Sequence, residues 1–270
     1  MNLRGIYASC RDIRFGYGRQ EVLRGIHCTI EGGEFLGIIG PNGSGKTTFL
    51  KILNGELLPN RGEVLLDGES VPRMSRRQIA QKVAVVPQVK ELAFRFTVLE
   101  MVMMGRSPHL GLLEFERRRD METVQWAMEM TNISHLADRD LSELSGGEHQ
   151  RVFIARALAQ NPSMILMDEA TAFLDIGHQA NIMDLMQRLN NDQGMTIAVV
   201  TQDINLASAY CDRIVLFNAG RIHSIGTPGN VITKADIEKV YGLPVLVDTN
   251  PETGTPRVTL RKKVTFHNNV

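Results

Sequence analysis

The sequence predicts an α/β domain that is interrupted by a mainly helical insertion. In the first ninety residues, short apolar runs typical of strands alternate with helical patterns, and similar runs return after residue 160. Between about residues 92 and 160, by contrast, the spacing of apolar residues is helical. Alternating strands and helices are typical of a sheet covered by helices, so we expect the flanking segments to form one sheet domain.

The first part of this domain contains three apolar runs and one helical pattern. EFLGIIG (34–40) predicts a buried strand, and TTFLKILNG (47–55) predicts a helix that a glycine ends. GEVLLDG (62–68) and VAVVPQ (83–88) predict two further strands, the second of which is stopped by a proline.

The insertion and the second part of the domain follow in the same way. TVLEMVMMGR, RRRDMETVQWAMEMTN and GEHQRVFIARALAQN have helical spacing. SMILMDEA (163–170), TIAVVTQ (196–202) and RIVLFNAGRI (213–222) predict the returning strands. In the tail, YGLPVLVDTNPETGTPRVTL has alternating apolar residues broken by proline and glycine, which predicts a small strand pair on the surface.

These patterns predict three parts of the chain. The α/β core comprises residues 1–90 and 161–240, the helical subdomain residues 91–160, and a short C-terminal extension residues 241–270. Of the 270 residues, 43% are hydrophobic and 22% are charged, which is ordinary for a globular protein with a substantial core.

Charge, cysteine content and hydropathy exclude several classes of protein. Lys plus Arg and Asp plus Glu both total 30, so the net charge is zero and we expect no nucleic-acid partner. The three cysteines lack CxxC spacing, which favours a reducing cytosol over a disulfide framework or a zinc site. We find no signal peptide and no apolar run of the ~18 residues that span a bilayer, so we expect any action at a membrane to require a partner.

The stretch GPNGSGKTT follows the predicted strand 34–40 and opens the predicted helix. It matches the P-loop pattern GxxxxGK[ST], in which glycines let backbone N–H groups curve around phosphates at the positive end of a helix. Lys46 supplies a charge for the β- and γ-phosphates, and Thr47 supplies a hydroxyl for Mg²⁺. A glycine turn could merely join strand to helix, but motif and context agree on a nucleotide site. The predicted ATP-binding residues are Gly40, Pro41, Asn42, Gly43, Ser44, Gly45, Lys46, Thr47 and Thr48.

Two carboxylates end the apolar run of MILMDEATAFLD. A parallel strand delivers such residues to the crevice at the carboxyl edge of the sheet. Asp168 is placed to hold Mg²⁺, and Glu169 to orient and deprotonate an attacking water. An acidic helix cap is the simpler interpretation of the pair alone, but the preceding P-loop favours the catalytic one.

The stretch LSGGEHQR lies at a predicted helix start. Ser145 and Glu148 have the spacing of a capping box, which alone would explain a well-made helix end. It does not explain Gly146 and Gly147, which expose backbone N–H groups at a positively polarised terminus. We therefore predict a second anion site, separate from the P-loop.

The P-loop, LSGGE and ILMDEA, in this order and spacing, resemble the ATPase subunit of an ABC transporter over about residues 5–240. The resemblance implies a P-loop NTPase (RecA-like) core with an antiparallel β edge subdomain and an inserted α-helical signature subdomain, and it implies ATP and Mg²⁺ as cofactors. By the same resemblance, Tyr17 would stack on adenine, Gln88 would contact Mg²⁺ and sense the partner, and Asp175 would serve communication within a dimer.

In that family the signature residues complete the site of the opposite subunit. Ser145, Gly146, Gly147 and Glu148 would thus bind ATP in trans, and one P-loop plus one signature per chain implies a dimer, expected to be of identical subunits, around two ATP molecules. The resemblance also implies integral-membrane permease subunits and, indirectly, a substrate-binding protein. The chain would then lie peripherally at the cytoplasmic face of the inner membrane.

The main departure from the family pattern lies at the end of a predicted strand. The strand TIAVVTQD ends in Gln202, where the family usually has a histidine that contacts the γ-phosphate region. Glutamine can donate and accept hydrogen bonds but cannot carry a proton charge. Gln202 is therefore a working substitute in a slower ATPase, the mark of a site that binds ATP but turns over poorly, or an engineered trap for the ATP-bound state.

The segments GRSPHLG and VYGLPVLVDTNPETGTPRV resemble the ATPases of importers for iron–siderophore complexes, haem and cobalamin. The Met-rich helix before the first segment is either core or, by the same resemblance, part of a groove that receives the permease. A soluble ABC ATPase that is not coupled to transport is the alternative, although the chain has neither long heptad repeats nor tandem ATPase sets. The seven histidines show no metal-ligand clustering, and none is assigned a catalytic role.

Overall fold

The computed structural model describes residues 5–88, 95–111, 117–171 and 174–261. Its strands are β1 (Ile6–Tyr17), β2 (Gln20–Glu31), β3 (Phe35–Ile39), β4 (Arg61–Leu66), β5 (Glu69–Ser70), β6 (Val83–Val86), β7 (Met164–Asp168), β8 (Thr196–Val200), β9 (Arg213–Asn218), β10 (Arg221–Gly226), β11 (Val245–Thr249) and β12 (Pro256–Leu260). Its α-helices are α1 (Lys46–Leu53), α2 (Arg76–Lys82), α3 (Val98–Met103), α4 (Arg118–Met130), α5 (Gly146–Ala159), α6 (Ile176–Gln193), α7 (Ile204–Tyr210), α8 (Pro228–Val231) and α9 (Lys234–Tyr241). Among these helices none is long and apolar enough to cross a membrane.

The main sheet has the strand order β10-β9-β3-β8-β7-β6, parallel throughout except for the edge strand β10. Alternate residues of β3 enter different hydrophobic clusters. Phe35 and Ile39 pack with the helices α3 to α6, whereas Leu36 and Ile38 pack with α1 and the N-terminal strands. Because both faces are buried, the strands are uninterrupted apolar runs rather than alternating ones.

Two antiparallel sheets flank this core. The first has the order β2-β1-β4-β5, and it contains the strand predicted at residues 62–68. The second is the β11-β12 hairpin, which packs on α7 and α9 and confirms the strand pair expected in the tail. The predicted α/β fold with helices in the insertion is confirmed.

Two elements differ from the sequence prediction. The run at residues 213–222 is a hairpin, β9 and β10, because Ala219 and Gly220 both have positive φ and reverse the chain. The helix expected over residues 97–106 ends at Met103 and continues as a 3₁₀ helix, Met104–His109. A Cβ at Gly105 would collide with the backbone of Arg156, so this segment lies directly on α5.

The strand order brings three carboxyl ends together. β3 pairs with β8, and β8 pairs with β7. The P-loop leaves β3, Gln202 follows β8, and Glu169 follows β7, so these segments meet at one edge of the sheet.

Candidate functional site

The P-loop curves between β3 and α1. Gly40, Gly43 and Gly45 have positive φ, and Gly45 caps α1 in the left-handed conformation. Lys46 Nζ donates to the carbonyls of Gly40 (2.8 Å) and Pro41 (3.0 Å), which holds the ammonium over the loop. Burial lowers the pKa of Lys46, while nearby carboxylates act in the opposite direction. The result is a desolvated cation at the positive end of a helix.

The loop also contains a polar atom without a partner. The Ser44 hydroxyl is buried and has no hydrogen-bond partner within the described part of the chain. A side chain added at Gly43 would meet nothing within 4 Å, so the space over the loop is open. A buried hydroxyl, a desolvated ammonium and the backbone N–H groups at the start of α1 fit a bound phosphate group.

Thr47 and Asp168 face each other from α1 and β7. Thr47 Oγ1 donates to Asp168 Oδ1 at 3.0 Å. Burial raises the pKa of Asp168, and the hydrogen bond from Thr47 acts against this. A half-buried carboxylate beside a hydroxyl offers the oxygen ligands that Mg²⁺ prefers, and a cation would favour its ionised form. These two residues therefore fit Mg²⁺.

Glu169 and Gln202 are in direct contact. Gln202 Nε2 lies 3.0 Å from both Oε1 and Oε2 of Glu169, so the amide donates to the carboxylate. Glu169 itself has a φ of 50°, a sparsely populated conformation for a residue with a side chain, and its N–H donates to Val200 O at 3.1 Å. The turn after β7 thus directs the carboxylate toward the end of β8.

Three of these four residues line the same cavity, and the fourth, Gln202, contacts one of the three, Glu169. Thr47, Asp168 and Glu169 line a cavity of about 500 Å³ together with Gln88. The remaining lining residues are Leu50, Lys51, Asn54, Glu56, Val85, Pro87 and Phe153. The structure therefore brings Gln88 to the carboxylates and the P-loop helix.

The signature residues lie elsewhere. Ser145 caps α5, and its N–H and Oγ donate to Glu148 Oε2 at 2.8 and 2.7 Å. These hydrogen bonds from Ser145 lower the pKa of Glu148. Gly146 is exposed and Gly147 is buried. Among the described residues, no hydrogen bond or cavity joins this turn to the P-loop, so the turn predicted to be a second anion site is separate from the first.

Asp175 and Tyr17 also lie outside the cavity. Asp175 caps α6, and the N–H and ring of His178 hold its pKa below the usual value. Tyr17 is 52% exposed at the end of β1, where its ring meets Phe15 edge to face. Both residues are thus available to a ligand or a partner at the surface.

The sequence pattern of the ABC transporter family matches residues 23–172. The chain belongs to the ABC transporter family. Two curated relatives extend the match to nearly the whole chain. The hemin import ATP-binding protein HmuV of Pseudomonas putida is 41% identical and covers 97% of this chain and 100% of its own. The ferric enterobactin transport ATP-binding protein FepC of Escherichia coli is 38% identical over 91% of each. This ABC protein binds ATP and is an ATP hydrolase.

Solved ABC structures have the same fold. A metal-chelate type ABC transporter in an inward-facing conformation has a TM-score of 0.84 at 27% identity, covering 96% of this chain and 98% of that one. An ATP-binding cassette in a dimeric post-hydrolysis state with ADP and Pi has a TM-score of 0.71 at 32% identity, covering 82% and 98%.

Sequence reasoning did not find the contact of His178 with Asp175. The ring Nδ1 lies 2.6 Å from Asp175 Oδ2. The available signal was the spacing: a residue three positions after a helix N-cap lies within reach of the capping side chain. The absence of metal-ligand clustering among the seven histidines does not reveal a histidine that contacts a helix cap.

Proposed function

We propose that the chain is the ATP-hydrolysing subunit of an importer that moves a metal chelate, such as an iron–siderophore complex, haem or cobalamin, through a separate permease. Two relatives of similar length are named for hemin import and ferric enterobactin transport, and a solved metal-chelate type transporter has the same fold. We propose a chemical class of cargo and not one compound, because an ATPase subunit acts on ATP and does not contact the cargo.

Within this proposal, residues 40–48 bind the phosphates of ATP and Tyr17 stacks on the adenine. Thr47, Asp168 and Gln88 would hold Mg²⁺, which neutralises charge on the β- and γ-phosphates when bound. Lys46 adds a fixed positive charge to the same phosphates. We also propose that the chain is divided into an α/β core, a helical subdomain and a C-terminal extension, with the bounds predicted from the sequence.

The observation that carries the hydrolytic part of the proposal is the contact of Gln202 with both carboxylate oxygens of Glu169. Glu169 acts as the general base that orients and deprotonates water, and Gln202 holds its carboxylate at the edge of the cavity where the phosphates would lie. The amide replaces the hydrogen-bonding function of a histidine and does not replace its charge.

We further propose that the active form is a dimer of identical chains. Among the described residues, no hydrogen bond or cavity joins Ser145, Gly146, Gly147 and Glu148 to the P-loop of their own chain, and the related cassette with ADP and Pi is a dimer. The signature turn would contact ATP of the second subunit, and Asp175 would transmit its position across the interface. ATP binding closes the dimer, and hydrolysis followed by product release reopens it.

The permease would contact a second cavity, of about 480 Å³, which lies between α2, the segment Met104–His109 and α5. Met104 is 41% exposed at its edge, and Arg76 and Arg156 line it. A flexible apolar side chain beside two guanidinium groups suits a partner segment that is partly apolar and partly polar. The chain would thereby lie at the cytoplasmic face of the inner membrane and act indirectly with a substrate-binding protein.

The test is steady-state Mg·ATP hydrolysis by the purified chain beside its Glu169→Gln and Gln202→His variants. We expect the unmodified chain to exceed the Glu169→Gln background by about 10²-fold or more, as removal of a general base requires. Equal rates would overturn the assignment of Glu169. Co-purification with a multi-helix permease separates the importer from a soluble ABC ATPase that is not coupled to transport.

A second candidate function rests on the same contact. Because Gln202 donates to both oxygens of Glu169, an attacking water must compete with the amide for the carboxylate. A chain in which the amide prevails would be an ATP-holding clamp. In that case hydrolysis stays at background and Gln202→His restores turnover.

A further inference from the structure

His178 lies between two motifs that the proposed function assigns to the dimer interface. Its backbone N–H donates to Asp175 Oδ1 at 2.8 Å, and its ring Nδ1 lies 2.6 Å from Asp175 Oδ2. Because a carboxylate accepts, Nδ1 carries the hydrogen, and both ends of the residue are held by one side chain. The imidazole is 43% exposed, so it lies at the surface of the described chain and not in the core.

The opposite edge of the ring lies on the signature turn. A Cβ built on Gly147 would fall within 3.0 Å of Cδ2, Nε2 and Cγ of His178. Gly147 does not have positive φ, so its backbone conformation does not demand glycine. The space taken by the imidazole demands it, because any larger residue would displace the ring or the turn.

We propose that His178 is a positioning residue for the second anion site. Oriented by Asp175, its ring supports the turn of Ser145, Gly146 and Gly147 at the start of α5, so the backbone N–H groups of that turn are held in place. This inference rests on the proposed function, in which the turn contacts ATP of the second subunit. It also gives Asp175 a route to the site: a displacement of its carboxylate moves the imidazole and, through it, the turn.

Three substitutions separate the parts of this contact. His178→Asn keeps a donor near the position of Nδ1 and removes the ring edge that touches Gly147. His178→Phe keeps a ring and removes the hydrogen bond to Asp175, and His178→Ala removes both. His223→Ala is the matched control, because it breaks another His–Asp contact, at 2.8 Å to Asp236, in a part of the fold that joins β10 and α9.

The experiment uses the full chain in the Glu169→Gln background, with two readouts. Binding of a fluorescent ATP analogue at low protein concentration reports the P-loop, and sedimentation with ATP reports dimerisation. We expect His178→Ala to weaken ATP-dependent dimerisation about tenfold with analogue binding unchanged, His178→Asn and His178→Phe to fall between, and His223→Ala to match the background.

The outcomes separate this inference from the proposed function. If the background protein dimerises with ATP and His178→Ala dimerises equally well, the positioning role is wrong and the dimer stands. If the background protein binds the analogue but never dimerises, the proposed dimer is wrong and this inference is overturned with it. If His178→Ala loses analogue binding and dimerisation together, its effect is a general loss of structure and the positioning role is again wrong.

Discussion

At the scale of single residues, the proposed hydrolysis depends on the contact between Gln202 and Glu169. A carboxylate that acts as a base must be held where water will lie, and an error of about 1 Å can cost 10²-fold in rate. One amide nitrogen at 3.0 Å from both oxygens fixes the carboxylate without adding a titrating group. Glutamine therefore supplies geometry, and the positive charge of the P-loop comes from Lys46.

Replacement of Gln202 by leucine tests this positioning. Gln202→Leu keeps most of the side-chain volume and removes the donor, so we expect kcat to fall about 10²-fold while KM for ATP stays within about twofold. Gln81→Leu is the matched control, because Gln81 Nε2 donates to the Pro108 carbonyl at 2.9 Å, outside the residues that line the cavity beside Glu169. A rise in kcat would contradict the prediction and show that the amide restrains Glu169.

At the scale of elements, a buried ion pair holds the helical insertion together. Arg106 Nε donates to Asp120 Oδ1 at 2.8 Å, and its Nη1 donates to the Ala159 carbonyl at 2.7 Å. Both charged side chains are 9% exposed. The pair thus joins the 3₁₀ segment, the start of α4 and the end of α5, the helix that carries the signature turn at its other end.

Asp120→Asn is expected to lower the free energy of unfolding at pH 7 by about 3 kcal/mol, since removing one member of a buried pair leaves the other charge uncompensated. Burial alone would raise the pKa of Asp120, but hydrogen bonds from the Arg117 N–H and Arg106 outweigh it and lower the pKa. Because the pKa of Asp120 is lowered in the folded chain, the ionised carboxylate stabilises the fold at pH values above the ordinary carboxyl pKa of about 3.9. This contribution is lost as the pH falls through the pKa of Asp120 in the folded state. Urea unfolding should therefore show a difference between the two proteins that shrinks toward acid pH.

The control for this prediction lies on the same helix. Glu122 pairs with Arg118 at 3.1 Å, and both side chains are largely exposed. Glu122→Gln should change the free energy of unfolding by no more than about 0.5 kcal/mol. A loss of similar size in both variants would show that the burial of the Arg106–Asp120 pair contributes nothing.

Elements with a strong local signal were predictable from the sequence, and those set by packing were not. β7 and β8 are uninterrupted apolar runs because helices cover both faces of the sheet, and such runs are visible in the sequence. The break between β9 and β10 depends on positive φ at Ala219, where the sequence has no Asn-Gly or Asp-Gly signal. The early end of α3 depends on how closely Gly105 approaches α5, a long-range contact that the sequence does not show.

At the scale of the whole molecule, strand order explains why the site could be predicted only in part. The P-loop and the carboxylates after β7 are local motifs whose chemistry follows from their residue types. The contact between Gln202 and Glu169 depends on β8 lying between β3 and β7, and a sequence does not state the order of strands in a sheet. The contact of His178 with Gly147 likewise depends on how α6 lies beside α5.

At the scale of the whole molecule, a mixture of two variants distinguishes an ATP site formed by one chain from an ATP site formed by two chains. Lys46→Ala removes the P-loop cation, and Ser145→Arg blocks the signature turn, so each variant alone should hydrolyse ATP at background. In a mixed dimer, the intact P-loop of the Ser145→Arg chain meets the intact turn of the Lys46→Ala chain. Random pairing should then restore about a quarter of the unmodified rate, since half the dimers contain one complete site.

The measurement is ATP hydrolysis at fixed total protein while the ratio of the two variants is changed. A shared site gives a rate that is zero at both ends and greatest at equal amounts, because the number of mixed dimers is greatest there. A rate that stays at background at every ratio would contradict the prediction that each ATP site is formed by both chains and works independently of the other site. As the control, each variant is mixed with Glu169→Gln protein. The mixture of Glu169→Gln with Ser145→Arg should recover hydrolysis, because the Ser145→Arg chain keeps its own P-loop and base. The mixture of Glu169→Gln with Lys46→Ala should stay at background.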